Sequence, residues 1–257
     1  MLKLILPLAV RAPLNHGVAE PKGFLFMPTA ILVDGSYFIK RYRTVSNPST
    51  HYDPKAVARD LFTWCLMHLE DKDTGRRELY RIFFYDCPPL VKKAHNPVSK
   101  KPVDFSRTKE AGFRLALHSQ LRKQRKVALR LGRLADYAHW AIRPAVTKDL
   151  LSGKMQIASL SEDDVLYEVR QKGVDMRIGL DIASLAFKRQ VDQIVLIAGD
   201  SDFVPAAKLA RREGIDFILD PMWQDIPEDL HEHIDGLRST CPKKPLRQGQ
   251  GDGAEQD

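Results

Sequence analysis

The chain is poor in cysteine. Cys65, Cys87 and Cys241 are odd in number and widely spaced, and no C-x-x-C occurs. A disulfide framework and a zinc ribbon are therefore excluded, and a reducing, cytoplasmic setting is expected. No apolar run approaches the roughly 18 residues that span a bilayer, so no membrane partner is expected. The segment from Leu4 to Val10 is apolar after Lys3, but it is short and broken by Pro7. It also lacks a clean small-x-small cleavage site, which argues against a signal peptide. No G-x-x-x-x-G-K-[ST] is present, excluding a P-loop NTPase, and no G-x-G-x-x-G follows a strand, leaving dinucleotide binding unsupported. There is no internal repeat.

What is present is a core and a charge. The 257 residues are 44% hydrophobic, enough for one large domain. The net charge is +7 and the pI about 9.3, which favours an anionic partner. The charge is uneven: residues 92–133 carry 13 Lys/Arg against two acids, Asp104 and Glu110. Lys92, Lys93, Lys100, Lys101 and Arg107 make this stretch a candidate phosphate track. Phe105 and Phe113 lie among them and could stack on bases, although Phe113 equally fits the apolar face of a helix.

Strands alternate with helices along the chain, predicting an α/β fold with a mostly parallel sheet. Residues 30–34 read as a buried strand. Asp53-Pro54 starts a helix whose apolar face is Val57, Leu61, Trp64, Cys65 and Leu69. Asp73-Thr74-Gly75 reads as a turn, and Leu79 to Tyr85 as a strand ending at Asp86 before Pro88-Pro89. A proline- and lysine-rich loop leads to a helix over about 106–126, with Phe113, Leu117 and Leu121 inward. Short strands are expected at 127–131 and 140–142. Residues 144–160 give no clear signal, a strand pair being one reading, and 161–167 fit a capped helix or an extended segment. A helix over 175–189, a strand over 193–198, a helix over 203–213, a strand over 215–219 and a last helix over 227–237 follow. Residues 1–27 are expected to be a loosely ordered extension, with Met27 a natural start. Residues 28–240 form the domain, with a basic insertion at about 88–135, and residues 241–257 a disordered tail.

Two apolar strand ends and one helix start carry the chemistry. Asp34 closes Ala30-Ile31-Leu32-Val33, and Ile194 to Ala198 runs into Gly199-Asp200-Ser201-Asp202. Asp175 opens a helix after Gly173. Each acid alone reads equally well as a turn residue or a helix cap. In an open parallel sheet, however, ligands bind outside the carboxyl ends of the strands. Acids gathered there repel one another unless a divalent cation joins them. Carboxylate oxygens suit Mg²⁺ or Mn²⁺, which can lower the pKa of a water and stabilise charge building on a phosphodiester. Asp181 follows Asp175 by six residues, about 120° around a helix, and is a second-rank candidate. His231 and His233 sit at i and i+2 and so face different ways on a helix.

Ile31-Leu32-Val33-Asp34-Gly35-Ser36, Lys172-Gly173-Val174-Asp175 and Gly199-Asp200-Ser201-Asp202-Phe203-Val204-Pro205 together resemble the NYN domain of the PIN-like nuclease superfamily. The resemblance covers about residues 28–220. It implies a Rossmann-like three-layer α/β/α sandwich and metal-dependent cleavage of RNA, single-stranded or structured. It assigns Asp34, Asp175, Asp200 and Asp202 to the metal and to catalysis, and by analogy a homodimer. Ser201 would orient the Asp-x-Asp turn, and Ser36 and Tyr37 would lie against the substrate. Many members carry Asn where this chain has Tyr37, whose hydroxyl could substitute or whose ring could stack on a base. That departure motivates an alternative, a non-catalytic RNA-binding module. Haloacid-dehalogenase phosphatases need Asp-x-Asp on the first strand, where this chain has Asp34-Gly35-Ser36, and a Toprim nuclease needs Glu there.

Overall fold

A computed structural model describes residues 28–71 and 75–243. The expectations for residues 1–27, for Asp73 and Thr74, and for the tail from residue 244 lie outside the described residues.

Strand β1 (Thr29–Asp34) leads into α1 (Gly35–Val45) and α2 (Pro54–Met67). A two-residue hairpin of β2 (Glu70–Asp71) and β3 (Gly75–Arg76) precedes β4 (Leu79–Asp86). A second small hairpin, β5 (Lys93–His95) with β6 (Pro102–Asp104), is followed by α3 (Lys109–Arg122) and β7 (Val127–Leu131). Next come β8 (Arg133–Ile142), α4 (Pro144–Leu151) and β9 (Val165–Lys172). The chain returns through α5 (Val174–Phe187), β10 (Gln193–Ile197), α6 (Val204–Arg212), β11 (Asp216–Asp220), α7 (Glu228–His231) and β12 (Gly236–Leu237).

Six of these strands form one all-parallel sheet in the order β12-β11-β10-β1-β4-β7. The apolar alternation of β1 splits the core. Ala30 and Leu32 face α5 and α6, with Ile178, Ile182 and Ala207. Ile31 and Val33 face α1, α2 and α3, with Phe38, Leu61 and Leu117. The result is the three-layer α/β/α sandwich the sequence leads one to expect. The chain proceeds from β1 to β4 and β7 on one side, then returns to β10 and β11 on the other. The strand order thus reverses at β1, the place where sheets of this kind bind ligands.

One helix is added and four expectations are corrected. Residues 35–45, left without an assignment by the sequence, are helical. Asp34 caps their first turn, accepting from the Ser36 and Tyr37 N–H groups at 3.0 and 3.1 Å, and Phe38, Ile39 and Tyr42 bury one face. The short strand at 140–142 is the end of the ten-residue β8, which pairs antiparallel with β9, while 144–151 is helix rather than strand. The segment 88–135 is only partly an insertion: β7 belongs to the main sheet, and Phe113, Leu117 and Leu121 of α3 pack against its core. The final helix stops at His231, after which Asp235 accepts from the Phe217 N–H at 2.9 Å and β12 joins the sheet edge. At the domain boundary, Cys241 is buried in the core, so the domain runs past residue 240.

Gly35 is required by the packing. A Cβ there would lie 2.5 Å from the Tyr85 carbonyl oxygen, a backbone atom that has no rotamer with which to retreat. This close approach sets α1 directly on β4 and holds Asp34 at the sheet rim.

Candidate functional site

All six parallel strands end at one rim of the sheet; β1, β4 and β11 end in an acid, Asp34, Asp86 and Asp220, and β10 runs on into Asp200. Val33 pairs with Ile197 and Asp34 with Tyr85, so Asp34, the Gly199-Asp200 turn and Asp86 open on the same edge. Gly173 adopts φ 75°, a left-handed conformation natural to glycine, and this turns β9 into α5 so that Asp175 sits in the helix's first turn. Asp200 caps the short helical turn Ser201–Phe203 and accepts from the Asp202 N–H at 3.2 Å.

The electrostatics tie these acids together. Burial pushes the Asp34 carboxyl up to about 6, and the charges of Asp175 and Asp86 push the same way, against the two cap hydrogen bonds. The Asp175 carboxyl is raised as well, by burial first and then by Asp200 and Asp202. Asp175 and Asp202 also line one open groove between α5 and α6. Asp34, Asp175, Asp200 and Asp202 are thus neighbours in charge. Among the described residues, however, no three His, Cys, Asp or Glu side chains are drawn together closely enough to form a ready cation cage. Hard oxygen donors whose charges raise the Asp34 and Asp175 carboxyls are the kind of set a divalent cation relieves, so the residues fit such an ion in chemistry.

Asp181 stands apart. It accepts from the Tyr85 hydroxyl at 2.7 Å and pairs with Arg130 at 3.2 Å. The 120° rotation along α5 carries it over β4 and β7, away from the other acids, and removes it from the candidate cluster.

Sequence reasoning noticed Asp86 as a strand end but did not place it in the site. Asp86 is fully buried and accepts from Arg114 Nη1, and from His118 Nε2 at 2.8 Å. Burial alone would raise its pKa, but the His118 hydrogen bond and the Arg114 charge outweigh burial and hold it below the ordinary carboxylate value. The signal was available, since β4 is an apolar strand closed by Asp just as β1 is. Gln171 links Asp86 to the cluster, its Nε2 donating to Ser36 Oγ at 2.8 Å and lying 3.4 Å from Asp86 Oδ1.

Tyr37 is already engaged. Its hydroxyl donates to the Pro221 carbonyl at 2.6 Å, and its ring lies where a Cβ on Gly199 would come within 2.6–2.9 Å. Tyr37 therefore braces the β10 turn against the β11 exit. Ser201 is in the turn between the two aspartates and is partly covered.

The basic side chains sit outside this rim. Lys92, Lys93, Lys100, Lys101 and Arg107 are all exposed on or beside the β5–β6 hairpin. Lys101 pairs with Glu162 at 3.1 Å, and Lys92 lies 5.5 Å from the Tyr167 ring centre. Phe105 stacks on Tyr167 at 4.6 Å, whereas Phe113 is core. No helix among the described residues is long and apolar enough to cross a membrane.

The NYN domain family matches residues 28–232. No curated protein matches the chain.

Proposed function

This chain belongs to the NYN domain family of the PIN-like nuclease superfamily, and from that premise we propose that it is a metal-dependent ribonuclease. Family membership alone carries a nuclease-like, RNA-related function. The finer reading is supported by one observation: at the carboxyl-end rim of the sheet, burial and the charge of Asp175 raise the Asp34 carboxyl, and burial and the charges of Asp200 and Asp202 raise the Asp175 carboxyl.

In this reading these four aspartates hold Mg²⁺ or Mn²⁺. The ion, when bound, supplies Lewis acidity toward a water and toward the phosphodiester. The rest falls to the chain. The Asp34 carboxylate is fixed by its two cap hydrogen bonds, so it needs little reorganisation to act. The Asp200–Asp202 N–H bond holds the Asp-x-Asp turn in shape. Ser36, itself held by Gln171, lies beside Asp34 at the approach to the rim. Lys92, Lys93, Lys100, Lys101 and Arg107 hold RNA phosphates without reading sequence. The three cysteines are free and buried, which suits a reducing compartment.

A second reading, a non-catalytic RNA-binding module, is favoured by the lack of a ready three-ligand cage among the described residues. Manganese titration followed by the loss of the free Mn²⁺ electron-spin signal separates the two. Wild type is expected to bind, and Asp200→Asn/Asp202→Asn to bind at least about tenfold more weakly. A folded wild type that takes up no Mn²⁺ at millimolar levels would remove the metal site and leave the second reading.

A further inference from the structure

A hollow of about 330 Å³ opens beside the acidic rim, between the loop leaving β4, the start of α3 and the β8–β9 arm. Its walls include Leu90, Phe105, Leu134, Tyr167, Val169 and, at the inner end, Gln171. Phe105 and Tyr167 stack on each other, and Trp140 packs against both, at 6.2 and 5.2 Å. The aromatic wall is therefore held in place by its own neighbours.

The two ends of the hollow differ. At the inner end Gln171 reaches both Ser36 and Asp86, so the hollow shares a residue with the carboxylate rim. On the outer side Lys92 lies over Tyr167, and Lys93 and Arg107 are exposed on the same hairpin region. An occupant must be flat and apolar-faced to satisfy the walls. It must also hang from an anionic chain, since cations flank the hollow and one end leads to the candidate reaction site.

We propose that this hollow seats one unpaired nucleobase of the RNA strand whose backbone passes the carboxylates. The proposal rests on the reading of the rim as an RNA-cleaving site. A paired base cannot enter, because its faces are already stacked within the duplex, so the site selects single-stranded segments. Base identity is weakly read. The polar groups of the lining are already bonded: Arg114 to Asp86 and Glu110, Glu110 also to Arg43, and the Thr108 hydroxyl to the Phe105 carbonyl. What remains is a stacking surface, which every base satisfies.

The test is fluorescence anisotropy with a labelled single-stranded RNA of about ten nucleotides, in EDTA so that nothing is cut. A duplex of the same sequence is the comparison. Tyr167→Ala removes a wall, and Val169→Phe fills the hollow while leaving the walls in place. Each is expected to weaken single-strand binding about 5- to 100-fold and to leave duplex binding unchanged. If Tyr167→Ala does not fold, Val169→Phe alone decides. Folded variants that bind the single strand as wild type does would overturn the hollow's role and leave the RNA reading intact. A wild type that binds neither RNA even at low salt would overturn both.

Discussion

Asp34→Asn is expected to abolish cleavage and, at about pH 7.5, to raise the melting temperature. The two effects have one cause. The Asp34 carboxyl is raised to about 6 by burial and by the charges of Asp175 and Asp86, so its ionised form is disfavoured in the folded chain. Asparagine keeps an oxygen that can cap α1, where Asn and Asp serve about equally. It removes only the charge. After allowance for screening of a partly covered group, the gain is about 1–2 kcal/mol. Its pH dependence follows from the raised value. Below the ordinary carboxylate pKa, Asp34 is protonated whether folded or not, and the two proteins melt alike. As pH rises from the ordinary carboxylate value towards about 6 the wild type loses that parity, and the variant's advantage reaches its full size above about 6. Cleavage moves the opposite way, falling at least about 100-fold, because the proposed ion loses a charged ligand. Melting curves across this pH range, run beside an RNA cleavage assay, check both. A variant that is destabilised at neutral pH would refute the electrostatic account of the rim.

Asp86→Asn is expected to do the reverse to stability. Arg114 is largely buried, its side chain 17% exposed, and it is neutralised by Asp86 and Glu110. Losing the Asp86 charge leaves the guanidinium with Glu110 alone and weakens the bond from His118. Breaking a buried pair from one side costs about 3–5 kcal/mol, and the remaining Glu110 sets the expectation near 3. For a domain of this size that is a fall of about 6–12 °C in melting temperature. The sign of the pH effect is also opposite to that of Asp34. The Asp86 pKa is lowered in the fold, so its contribution is present above the ordinary carboxylate value and is lost as pH falls through the folded one. The gap between wild type and variant should therefore narrow in acid. A gap that is constant with pH would mean that packing, not charge, holds Asp86.

The contrast between these two strand-end acids also indicates how far the sequence can be read. The continuous apolar runs of β1, β4 and β10, the capped and periodic α2 and the periodic α5 were legible because the strands are buried on both faces and the helices on one. Helix α1 was not, since Lys40, Arg41 and Arg43 interrupt a short apolar stripe and its cap is the same Asp34 that reads as a site residue. The β8–β9 arm was seen only in part: it stands outside the main sheet, its register shifts between Leu134 and Ala138, and its residues are mostly half-exposed. The acids themselves were visible as strand ends, but their partners were not. Asp86 meets His118 across 32 residues, and Tyr37 meets Pro221 across 184, contacts that no local pattern encodes. Asp181 looked like a neighbour of Asp175 in sequence, and only the helix's rotation separates them.

The most direct measurement is cleavage of labelled single-stranded and structured RNAs with Mg²⁺, with Mn²⁺ and with EDTA, comparing wild type and Asp200→Asn/Asp202→Asn. The account predicts cutting by the wild type that stops in EDTA, and none by a double variant that folds normally. Cutting that persists in that variant, or no cutting by a folded, Mn²⁺-binding wild type, would contradict it.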